Sequence, residues 1–82
     1  MPMASGATEV FEREFLSLRG KLLEVAAALD RIARAEGSVA ADPRMAQVRQ
    51  SLEFLAGADG RQDRVERIQL IFSLPYDPNW RN

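Results

Sequence analysis

An apolar stripe runs without a break through one stretch of this chain: Phe11, Phe15, Leu18, Leu22, Val25, Leu29 and Ile32, at steps of 4, 3, 4, 3, 4 and 3 residues. That alternation is the heptad seam of a helix built to lie along another helix. With Phe15, Leu22 and Leu29 at a and Phe11, Leu18, Val25 and Ile32 at d, the flanks become readable. In the first half they carry Glu12, Glu14, Arg19 and Lys21, as a solvated coiled-coil edge does. In the second half they carry Ala26, Ala28, Ala33 and Ala35, which widen the apolar surface in the manner of a multi-helix bundle. Leu16 and Leu23 lie on an adjacent face and would be exposed in a simple hairpin, so with the seam they are candidates for packing against a second subunit; the alternative is a seam covered by the later helices of the same chain.

The boundaries follow from local chemistry. Residues 1–8 read as a disordered leader ending in Thr8, a capping residue. Glu9, Glu12 and Glu14 then favour the positive end of a helix dipole. The spacing predicts a helix over 9–36 stopped by Gly37, roughly 42 Å long at ~1.5 Å per residue. Glu9–Arg13 and Asp30–Arg34 are i,i+4 pairs with the acid first. Gly20 costs the helix about 1 kcal/mol relative to Ala, which a close helix contact would explain.

Asp42-Pro43 is a strong start for a second helix over 43–56, with Met45, Val48, Leu52 and Leu55 on one face and Gly57 at its end. Ala58-Asp59-Gly60 is a turn. In the third segment, 61–74, Val65, Ile68, Ile71 and Phe72 fit a helical face, and Asp63–Arg67 is another i,i+4 pair. Ile68, Leu70, Phe72 and Leu74 alternate as a strand would, but a lone strand has nothing to pair with in a helical chain, so the reading is helix. Pro75 ends it, and 75–82 form an extended tail with two prolines. The expected fold is all-α: a small helical bundle, one long amphipathic helix with two shorter ones returning along it, completed by dimerisation.

Size and composition support association. A domain of 82 residues buries only about 60–65% of its unfolded surface and needs a supplement to its core. With no Cys and no His, disulfides, thiolate metal sites and the commonest metal ligand and general base are closed off. Nothing in the sequence calls for a cofactor or a metal. The charges, 11 basic against 12 acidic, are interspersed, which argues against nucleic acid and anionic membranes as partners. Residues 1–8 lack the pattern of a signal peptide, and no run approaches the roughly 20 apolar residues of a membrane span, so a cytoplasmic location is expected.

Chemistry-bearing motifs are few. No serine sits in a nucleophile turn, and Gly57-Ala58-Asp59-Gly60 is too short for a phosphate loop. Arg61, Arg64 and Arg67, spaced 3 and 3, are candidate anion-binding residues on a helical face, partly neutralised by Asp63 and Glu66. Tyr76 and Trp80, the one Tyr and the one Trp, bury on the order of 150–250 Å² each when docked; the first reading sets the tail as a lid on its own bundle or a sister subunit, and the second makes them partner-binding residues for another protein. Leu16-Ser17-Leu18-Arg19 resembles the start of the first helix of small chorismate mutases, which are intertwined helical dimers binding a dicarboxylate through Arg and Lys. The downstream charged positions do not follow that family's order, so the likeness is one of size and architecture and lends no site residue. The expected function is a non-catalytic protein–protein interaction module or small accessory subunit that self-associates through its helical face. The alternatives are a nucleic-acid-binding regulator using the Arg face and a small-molecule or enzyme site in a bundle groove.

Overall fold

The structure, a computed structural model, describes residues 6–73. They form three helices, α1 (Ala7–Arg34), α2 (Pro43–Ala56) and α3 (Arg64–Ser73), and among the described residues there is no strand. Two compact units divide the chain, Met1–Gly37 and Ser38–Asn82. The first holds α1 alone, and the second is built on α2 and α3.

α1 begins earlier than the Thr8 cap implies. Gly6 is the N-cap, in extended backbone, and both Ala7 and Thr8 are helical. The Glu9 carboxylate accepts from the Gly6 N–H at 3.3 Å, the return half of a capping box. Glycine has no side chain to supply the other half. Glu9 thereby closes the start of the helix and does not ion-pair with Arg13. The far end comes earlier too. The last helical residue is Arg34, the Ala35 N–H donates to the Ile32 carbonyl at 3.2 Å, and Glu36 lies outside. Gly37 turns the chain after the helix with φ +89°, a left-handed conformation that residues with a Cβ rarely adopt.

α2 starts on Asp42, whose carboxylate accepts from the Arg44 N–H at 2.8 Å, with Pro43 in the first turn where it has no N–H to lose. The helix closes on the Gly57 N–H, which donates to the Glu53 and Phe54 carbonyls, each at 3.2 Å. A turn at Gly60, φ +80°, follows. α3 starts at Arg64 and not at Arg61: the Arg67 N–H donates to the Asp63 carbonyl at 3.1 Å, so the first helical hydrogen bond closes on Asp63. Residues 61–63 are therefore linker. The alternation in Ile68, Leu70 and Phe72 does not produce a strand, because the N–H of each is already directed to a carbonyl four residues back in the helix.

α2 and α3 pack together. Their contact is small and partly polar. Ala58 is 3% exposed and Ser51 7%, and Ser51 satisfies its buried hydroxyl by donating to the Gln47 carbonyl one turn back at 2.8 Å. Gln47 in turn donates from Nε2 to the Ile71 carbonyl at 3.1 Å, tying the two helices side chain to backbone.

Candidate interaction surface

The a/d seam exists as a continuous face of α1. With 3.6 residues per turn, steps of 4 and 3 keep Phe11, Phe15, Leu18, Leu22, Val25, Leu29 and Ile32 on one face across most of its 28 residues. The Phe11 and Phe15 rings meet at 5.5 Å between centroids, tilted by 52°, a favourable aromatic geometry at the start of the stripe. No residue of α1 is buried. Leu29 is half-buried, while Phe11, Phe15, Leu18, Leu22, Val25 and Ile32 are exposed. Leu16 and Leu23 are exposed at 74% and 54%, values that leave most of each side chain in water. A lone helix has no second element of its own on which to bury such a face. Scattered exposed leucines are ordinary, but a contiguous apolar surface of this length is not.

The charges on α1 keep off the seam: Glu12, Glu14, Arg19 and Lys21 flank it, and the others lie on the outer face. Among the described residues the two ion pairs are Arg44–Asp42 and Arg61–Asp63, so neither Glu9–Arg13 nor Asp30–Arg34 closes into contact. The basic side chains Arg31 and Arg34 occupy the last turn, where they face the negative end of the helix dipole.

The three arginines read as an anion-binding face occupy two different elements. Arg61 precedes α3; its guanidinium grips the Asp63 carboxylate through Nε and Nη at 2.8 and 2.7 Å and lies 5.4 Å from the centroid of the Phe54 ring. Arg64, the first residue of α3, donates to the Arg61 carbonyl at 2.7 Å and to the Ala58 carbonyl at 2.6 Å. Arg67 is exposed on the helix and makes no such bond to another described residue. Two of the three guanidiniums thus staple the linker between α2 and α3.

The Asp63 carboxyl is held down to about 2, first by the hydrogen bond from Arg61 and only weakly by Arg67. The i,i+4 partner that the spacing suggests is therefore secondary to a closer i−2 partner. Asp42 is held down to about 2 in the same way, first by the side-chain bond from Arg44 and then by the Arg44 N–H. Short-range forks of this kind, Asp42-Pro43-Arg44 and Arg61-Gln62-Asp63, were not singled out by the helical pattern, because residues two apart do not face each other inside a helix. They do so here because Asp42 sits just outside α2, and both Arg61 and Asp63 sit outside α3. The signal that could have found them is an Asp at the capping position with an Arg two residues away.

A shallow open depression of about 290 Å³ lies against α3, lined by Leu55, Arg64, Val65, Ile68 and Gln69. Its lining offers no carboxylate. No group of acidic residues able to hold a metal ion occurs among the described residues. Likewise, no helix of the described residues is long and apolar enough to cross a membrane. Tyr76 and Trp80 lie outside the described residues. No protein-family model matches the chain, nor does any curated protein or any solved structure.

Proposed function

We propose that this chain is a non-catalytic interaction module that self-associates through the apolar face of α1. The observation that supports it is the exposed heptad seam itself: seven apolar residues in 4,3 alternation, six of them exposed, on a helix with no buried residue. Leaving that surface in water forgoes roughly 25 cal/mol for every Å² that a partner would cover, and a second copy supplies a surface of matching spacing. The smallest assembly that covers the seam is a homodimer. The flanking alanines of the second half let neighbouring helices approach closely there.

The test is mass in solution over a concentration series. The full chain should run at twice 9.2 kDa or more, and Leu18→Gln/Leu22→Gln, which puts two amides into the seam, should run at 9.2 kDa while remaining helical. A native chain that stays at 9.2 kDa at every concentration would mean that copies of this chain do not close the stripe, and the reading fails.

A further inference from the structure

We infer that the partner of α1 is a second α1 lying parallel and in register, with Glu14 of each helix facing Arg19 of the other. This rests on the self-association reading above and adds the direction of the chains to it.

The flank charges carry the inference. In a parallel coil a residue at g faces the e residue five positions later on the neighbouring helix. With this heptad assignment the facing pairs are Ala7 with Glu12, Glu14 with Arg19, Lys21 with Ala26, and Ala28 with Ala33. One of these joins two charged residues, and they are of opposite sign. Symmetry makes the contact twice in a dimer. No like charges meet.

Antiparallel packing sets g against g and e against e. Of the two registers that overlap the seam best, one places Lys21 against its own copy and Arg19 against its own copy. The other leaves every flank charge against an alanine. Neither offers an attractive pair, and the first sets like charges together twice.

Glu14 and Arg19 are also available for the purpose. Three and four positions either side of Glu14 stand Val10, Phe11, Ser17 and Leu18; around Arg19 stand Phe15, Leu16, Leu22 and Leu23. Neither has an opposite charge to meet on its own helix, whereas Lys21 has Glu24 three residues on. Both side chains are exposed. Each therefore stands at the edge of the seam with its charge uncommitted, five residues from its complement.

The experiment is a charge exchange in the full chain, read as the dissociation constant of self-association by analytical ultracentrifugation, with helicity followed by circular dichroism. Glu14→Arg and Arg19→Glu alone each turn the attractive contacts into repulsive ones and should weaken association on the order of tenfold. An equimolar mixture of the two should associate more tightly than either variant alone, and as the native chain does in a dimer or an alternating four-helix ring. In the mixed pair each flank sets a cation of one variant against an anion of the other. The double variant Glu14→Arg/Arg19→Glu, which keeps the native net charge, should recover native association too, separating pairing from overall charge. Its recovery also shows that neither substitution unfolds the helix.

If the native chain associates and the single variants match it, or if neither the mixture nor the double variant recovers, the parallel register is wrong while self-association stands. If the native chain does not associate at all, the underlying reading falls and the register with it.

Discussion

At the scale of single residues, the positions that explain most are those at which a local bond replaces the partner that spacing alone suggests. Glu9 serves the Gly6 N–H and not Arg13, and Asp63 serves Arg61 more than Arg67. The two aspartates give a pH dependence with a definite sign. Each carboxyl is lowered from an ordinary 3.8 to about 2 in the folded chain, so each binds its proton more readily when unfolded. Their contribution is complete above about pH 4 and is lost as the pH falls toward 2. An acid titration of helicity should show a loss in that window, shallower in Asp42→Asn/Asp63→Asn; identical curves would show that these forks do nothing for stability. Gly20 gives a second prediction. A Cβ built there meets nothing within 4 Å, and the position is f, opposite the seam. Gly20→Ala should raise helix stability by about 1 kcal/mol in thermal melts and leave the assembly mass unchanged. A variant that loses mass would place a close neighbour on that face instead. Gly60, with φ +80°, predicts the reverse: Gly60→Ala should destabilise the chain by about 1 kcal/mol, again by melting.

At the scale of elements, the long helix was the most legible part of the sequence, because a 4,3 alternation sustained over 22 residues, Phe11 to Ile32, has no strand or loop counterpart. Its ends were less so. Thr8 has the chemistry of a cap, but the helix runs through it to Gly6, where Glu9 can reach back to the cap N–H. At the other end Gly37 marks the left-handed turn correctly but not the last helical residue, three positions earlier. The third segment was ambiguous between two periods, and the turn of Arg61 and Arg64 onto the linker could not be read from a 3,3 spacing. The tie between α2 and α3 through the Gln47 amide is polar, and buried Ser51 is satisfied within α2, so no search for apolar periodicity would have found either. The element prediction concerns Leu16 and Leu23, which extend the apolar face of α1 past its Ala26 and Ala33 flank. Leu16→Gln/Leu23→Gln should shift the chain toward smaller species in light scattering. Retention of the parent mass would confine the interface to the a/d seam.

At the scale of the whole molecule, a small chain without cysteine or histidine has few ways to supplement its core, and the proposed association through α1 would supply one. The core choice also bears on the number of strands. In the second half of the seam, Leu22 and Leu29 at a with β-branched Val25 and Ile32 at d resemble the arrangement that favours more than two parallel helices, whereas Phe11, Phe15 and Leu18 of the first half do not. The wide face of Leu16, Leu23 and the flanking alanines agrees with it. The Glu14–Arg19 contact is common to any parallel, in-register assembly and does not depend on that number. The measurement that bears most directly on the whole account is sedimentation equilibrium of the full chain over a wide concentration range. A mass of twice 9.2 kDa or a higher multiple, falling on dilution to a species that keeps its helicity, is what an exposed α1 seam closed by its own copies predicts. A single 9.2 kDa species throughout would contradict it.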